Sequence, residues 1–215
     1  MNVIQLKAEM RAYAVKHGLE VPPVMWRSAV WGKNAKTLAW RVSGHKTGHA
    51  TTSKVELWEM FHPAPVPLKV LYPDYHWNGA PVARTGPPPG IVWHHSAGTG
   101  TPLQIHKFHQ NLKPPDRGIA YHYYVRRDGK VYAGRPESSM GAHCLGHNDW
   151  LGVCAEGNYE ARNDMPPVQL KALQAVHGHL QRKYKTLADR RHKDMPGNST
   201  ACPGKFFDFT AITRL

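Results

Sequence analysis

The sequence predicts an α/β or α+β domain built on one sheet, preceded by a small helical segment. Three observations carry this. Apolar residues recur at helical spacing through about the first 62 positions, short β-rich runs alternate with helical ones from Ile91 onward, and proline clusters separate the two regimes. The 215 residues are enough for one domain of ordinary size plus a small second one.

In the first segment Val3, Leu6, Met10, Tyr13 and Ala14 recur at helical spacing. Ser53 to Glu56 has the capping-box pattern, with Val55, Trp58 and Phe61 on one face. "HPAPVPLKVLYP" then reads as an extended linker, and "TGPPPG" precedes the apolar strand at Ile91–His94. Thr101 is an N-cap, with Pro102 at the first helical position and Gln104 completing a capping box; Ile105, Phe108, His109 and Leu112 form one face of that helix. "YHYYVRRDGKVYAG" is a hairpin around Asp128-Gly129, and "WLGVCAEGN" a short buried strand. "PPVQLKALQAVHGHLQRKY" is a long helix with Leu173, Val176, Leu180 and Tyr184 inward, and "CPGKFFDF" turns into a short terminal helix. The domains expected are a helical one at 1–66, a Pro-rich linker and lead-in at 67–86, and the mixed domain at 87–215.

The net charge of +13 and pI of about 9.8 favour polyanionic partners: nucleic acid, an anionic membrane surface or the anionic polymers of a cell wall. No apolar run approaches a membrane span, and the N-terminus lacks the continuous apolar core of a secretory signal, so no Sec route is expected. Three cysteines without a signal sequence argue for reduced thiols, with Cys144 and Cys154 as small buried residues.

His94 and His95 stand where the strand at Ile91 breaks into a flexible loop. His192 and Cys202 lie ten residues apart near the C-terminus, in a loop that Pro and Gly let fold back. Two imidazoles and one thiolate suit Zn²⁺ and leave a position open for water or substrate. Adjacent strand residues face opposite sides, so His94 and His95 cannot easily share one metal. On spacing alone a zinc site and scattered structural histidines both remain open. His122, His143 and His147 can line a groove or sit on the surface, with His143 favoured for the groove. His106 and His109 face core or solvent.

Five blocks then occur in order: "IVWHHSAG", "AYHYYVRRDGKVYAGR", "GAHCLGHN", "LGVCAEGN" and "RHKDMPGNSTACPG". Together they resemble the zinc-dependent N-acetylmuramoyl-L-alanine amidases, the family that includes small phage lysins and peptidoglycan recognition proteins. The resemblance covers roughly residues 75–215. It implies a central mixed β-sheet flanked by helices, with Zn²⁺ as cofactor held by His94, His192 and Cys202. It implies Tyr121 as a catalytic residue and Thr200 where other members carry Lys or Thr. Some members place a catalytic Glu where this chain has Cys154. Glu156, two residues on, faces the same side but is not assigned a catalytic role. Asp194 is expected to fix the loop of His192 as a hydrogen-bond acceptor.

The function implied is hydrolysis of the amide between N-acetylmuramic acid and L-alanine by a zinc-activated water. The chain would act as a monomeric phage endolysin in the host cytoplasm and then, after holin-dependent release, on the cell wall. A non-catalytic peptidoglycan-binding protein on the same fold is the alternative, but such members typically lack the Cys ligand. A nucleic-acid-binding protein would account for the charge and not for the five blocks. Trp26, Trp31, Trp40 and Trp58 in the first segment suit either sugar stacking or the core of a small helical domain.

Overall fold

The computed structural model describes residues 68–185 and 187–213. They belong to one compact unit, Pro67–Leu215. The helical domain expected at 1–66 lies outside the described residues.

Six strands form one sheet. β1 (Val70–Leu71), β2 (Gly90–His95), β3 (Tyr123–Val125), β4 (Val131–Ala133), β5 (Leu151–Ala155) and β6 (Ala188–Arg191) lie in the order β1-β4-β3-β5-β2-β6. β3, β5, β2 and β6 pair in parallel, β4 runs antiparallel to β3, and β1 is parallel to β4. The sheet is therefore mixed, as the resemblance implies. Parallel strands are joined by crossovers, and two of these carry helices: α1 (Pro102–Gln110) follows β2 and precedes β3, and α2 (Pro167–Tyr184) follows β5 and precedes β6. α3 (Phe209–Thr213) closes the described chain.

The pleat sorts side chains onto two faces. Ile91, Trp93, Tyr123, Val125, Leu151, Val153 and Ala155 pack against Leu173, Val176 and Leu180 of α2 and Ile212 of α3. Burying each of the larger side chains contributes about 1.5–3 kcal/mol. On the other face Tyr124 and Cys154 pack with Ile119, Ile105 of α1, Tyr75 and Trp77. β2 has parallel partners on both sides, and all six of its residues are buried. The hairpin turns where Gly129 adopts φ +81°, a backbone state that glycine enters without a Cβ penalty. The capping box forms as read: Gln104 N–H donates to Thr101 Oγ1 at 3.2 Å, and Thr101 N–H to Gln104 Oε1 at 2.7 Å.

Three features depart from the sequence reading. The apolar face assigned to α1 is only partly inward: Ile105 packs in the core and His109 is half-buried, but Phe108 is 61% exposed and Leu112, beyond the helix end, 40%, whereas Pro102 and His106 are buried. His106 can be buried because both ring nitrogens are satisfied, by the His76 carbonyl at 3.0 Å and the Ile119 N–H at 3.1 Å, while its ring stacks on Tyr75. The lead-in at 67–86 contributes β1 to the sheet edge and Tyr75 and Trp77 to the α1 side. β6 has no counterpart among the expected strands. "ADRR" carries no apolar pattern and forms an edge strand through backbone pairing with β2.

Candidate metal centre

β2 and β6 bring the first two donors together. Their register sets Arg191 opposite Trp93, so His192, at the start of a 3₁₀ turn (His192–Asp194), arrives beside His94. The two ring centroids are 4.5 Å apart. The loop that follows returns Cys202 to the same point, fixed by Lys193 N–H donating to the Cys202 carbonyl at 2.8 Å. One ligand atom from each of His94, His192 and Cys202 lies within 4.8 Å of the others. Among the described residues no carboxylate joins this cluster.

Hydrogen bonds decide which nitrogen each histidine presents. His143 Nε2 faces the Trp150 carbonyl at 3.1 Å, and a carbonyl only accepts. The proton therefore sits on His143 Nε2, its Nδ1 accepts from His94 Nε2–H at 3.0 Å, and His94 Nδ1 keeps a free lone pair. That atom lies 3.6 Å from Cys202 Sγ. A tetrahedral zinc with ordinary Zn–N and Zn–S lengths separates such donors by about 3.6 Å. At His192, Nε2 meets Asn198 Oδ1 at 3.1 Å. The Asn198 amide is oriented by its own Nδ2 donating to the Leu145 and Pro196 carbonyls, so His192 also presents Nδ1.

The electrostatics suit neutral nitrogen donors. Burial, reinforced by the neighbouring His143, His192 and His95 rings, holds His94 well below the ordinary imidazole range. Burial also lowers His192, partly offset by its bond to Asn198. Burial pushes the Cys202 thiol up to about 11, against the pull of the His95 N–H that donates to Sγ at 3.4 Å. The thiol must lose its proton to ligate, and a bound cation favours that loss. The donor set thus fits zinc: two neutral imidazoles, one thiol and no competing hard oxygen.

His95 is excluded as a fourth ligand, because its ring turns to the α2 side and Nδ1 accepts from Tyr159 N–H at 3.0 Å. Tyr121 stands beside the donors, its ring 5.2 Å from that of His94 and edge-on to His109 at 5.6 Å. Burial, with Cys154 and Cys202 nearby, raises its phenol well above the ordinary value. The phenol therefore keeps its proton at neutral pH. Cys154, the buried thiol among those causes, lies in β5. Thr200 is exposed, and its Oγ1 accepts from Cys202 N–H at 3.1 Å.

Other assignments change. Asp194 does not support His192. It pairs with Arg191 at 2.6 Å, because within so short a turn the guanidinium captures the carboxylate, and Asn198 takes the accepting role. His143 does not line the groove: it is buried behind His94. His122 is buried too, bonded to the Ser139 carbonyl and to Gly152 N–H. Glu156 is committed elsewhere. It pairs with Arg126 at 3.1 Å and accepts from the Gly100 and Arg127 amides, each at 3.0 Å. Burial opposes its charge, but these donors hold its carboxyl below the usual range. Asn198 went unread in the sequence because its role depends on a loop closing on Leu145, 53 positions away.

A family model described as N-acetylmuramoyl-L-alanine amidase matches residues 84–205, more than half of the chain. The chain belongs to this family. Among solved structures it is similar to the N-acetylmuramoyl-L-alanine amidase LysC from Clostridium intestinale URNW, with 36% identity, a TM-score of 0.62, and coverage of 67% of this chain and 94% of that one. Drosophila peptidoglycan recognition protein SD has the same fold at 24% identity, with a TM-score of 0.58 over 64% of this chain and 89% of that one. Among curated relatives, the endolysin of Klebsiella phage KP32 is 33% identical over 90 residues, 40% of this chain and 58% of the relative. The chain thus spans under two thirds of the curated endolysins it matches. The matched region contains every donor of the candidate centre.

Proposed function

We propose that this chain is a peptidoglycan amidase that hydrolyses the bond between the lactyl group of N-acetylmuramic acid and L-alanine, with zinc as its metal. The observation that carries this reading is the convergence of His94 Nδ1, His192 and Cys202 beside the Tyr121 ring. An amide is a poor electrophile with a poor leaving group. A zinc ion held by these three donors would supply Lewis acidity and a nucleophilic water at neutral pH. The chain's own groups do the rest. His94 and His192 stay neutral and correctly oriented through His143 and Asn198. The Tyr121 hydroxyl donates to the amide oxygen as that oxygen gains charge. Thr200 steadies the ligand loop by accepting from Cys202 N–H, which leaves its own hydroxyl proton free to donate. The presence of Cys202 in the donor set favours a hydrolase over a binding protein on the same fold.

In this reading the protein serves as a phage endolysin that collects in the host cytoplasm and reaches the wall once the membrane is opened. Among the described residues no helix is long and apolar enough to cross a membrane. Digested peptidoglycan should show new L-alanine amino groups by mass spectrometry without new reducing sugars, and expressing cells should lyse only when the membrane is permeabilised. Reducing ends rising in step with lysis would point to a glycosidase instead.

The basic first segment, 1–66, is assigned to wall attachment. Nine Lys and Arg against four acids in its first 62 residues attract anionic wall polymers, and the attraction weakens as salt rises. Full-length protein should therefore bind purified walls more tightly than residues 67–215 in a pull-down across a salt series. Equal binding by the two would remove the targeting role.

A further inference from the structure

We propose that His143 is a positioning residue: it locks the His94 ring in the Nε2–H tautomer, so that Nδ1 faces the metal. This rests on reading the centre as a zinc site. His143 is 7% exposed, and its ring contacts neutral groups: the Trp150 carbonyl, His94, His122 and Tyr121. A buried ring without a counter-charge is neutral. With its one proton on Nε2 toward Trp150, it offers His94 only an acceptor. A histidine ligand whose remote nitrogen has such a partner loses both its alternative tautomer and its freedom to turn.

The fold reserves space for this ring. A Cβ on Gly152 would stand 2.4 Å from His143 Cδ2, and one on Gly141 2.3 Å from the same atom. Gly152 is interior to β5, where glycine weakens a strand and marks the close approach of another group. Here that group is the His143 imidazole. The backbone that carries it is also pinned, because Asn148 Oδ1 accepts from the amides of His143 at 2.8 Å and Cys144 at 3.0 Å. Two glycines, an amide clamp and a carbonyl acceptor thus orient one ring, and that ring orients His94.

The test uses full-length protein and two readouts that need no turnover. Zn²⁺ is titrated against a chromophoric chelator, and imidazole ¹⁵N shifts report the His94 tautomer in metal-free protein. Wild type should bind one Zn²⁺ and show His94 as Nε2–H. His143→Ala should weaken Zn²⁺ by about 10- to 100-fold and mix the His94 tautomers. His143→Gln offers an acceptor to His94 and a donor to Trp150, and should recover most of the affinity. Gly152→Ala, which displaces the ring, should behave like His143→Ala. Unchanged Zn²⁺ affinity and an unchanged tautomer in folded His143→Ala would overturn the proposal. Equal losses in His143→Ala and His143→Gln, in step with melting temperature, would also overturn it by reducing His143 to a packing residue. Failure of wild type to bind Zn²⁺ would instead sink the zinc reading, and the metal-free tautomer would still decide the role of His143.

Discussion

Cys202→Ala is expected to strip the protein of zinc and to abolish amide hydrolysis, while the fold survives. The thiolate is the only anionic donor of the cluster, and without it two neutral imidazoles remain. Two protein ligands fall short of the three that hold catalytic zinc. The change is local. Cys202 is half-buried, and its backbone stays tied by the 2.8 Å bond from Lys193 N–H. Elemental analysis should find wild type near one zinc per chain and the variant far below that, with melting profiles close to the metal-free wild type. Chelation of wild type should likewise end activity, and added Zn²⁺ should restore it. Full zinc occupancy in Cys202→Ala would remove this residue from the centre.

Tyr121→Phe should retain zinc and fold but lose about 10²-fold or more in turnover, because one transition-state donor disappears. The aromatic ring is kept, so its contacts with His94 and His109 persist. Only the hydroxyl goes, and burial holds that hydroxyl protonated, ready to donate to a developing oxyanion. Thr200, an exposed neutral donor, offers weaker compensation than a lysine would. Turnover on a soluble muropeptide should fall with little change in KM, as expected for an interaction made mainly in the transition state. Wild-type turnover in Tyr121→Phe would make the residue a packing element.

Much of the candidate site was legible because its residue types stand in a fixed order along the chain. His94, Tyr121, His192, Thr200 and Cys202 could each be named from the five blocks, and strand alternation already separated His94 from His95. The supporting shell was not legible in the same way. Asp194, two residues from His192, is the partner the sequence suggests, yet Arg191 takes it and Asn198 takes the role. His143 was read as groove-lining because nothing in "GAHCLGHN" shows that its Nδ1 meets His94 from 49 positions away. On α1, periodicity set Ile105, Phe108, His109 and Leu112 on one inner face; Ile105 packs inward, but Phe108 and Leu112 are exposed, and His106, stacked with Tyr75 and Trp77, takes the inner position instead.

The sequence by itself determined the alternation of strands and helices, the capping of α1, the hairpin at Gly129 and the identity of the three candidate metal donors. The first three follow from local periodicity and turn chemistry, which act over a few positions; the donors follow from the resemblance that the five blocks carry, since spacing alone leaves scattered structural histidines open. Tertiary structure alone decided that "ADRR" is a strand, that His192 meets His94 through the β2–β6 register, and that both histidines turn Nδ1 inward. A polar edge strand has no apolar pattern, since it is held by backbone hydrogen bonds that every residue can make. A tautomer is likewise set by whichever donor or acceptor the fold brings within about 3 Å of the remote nitrogen, and that partner can come from anywhere in the chain.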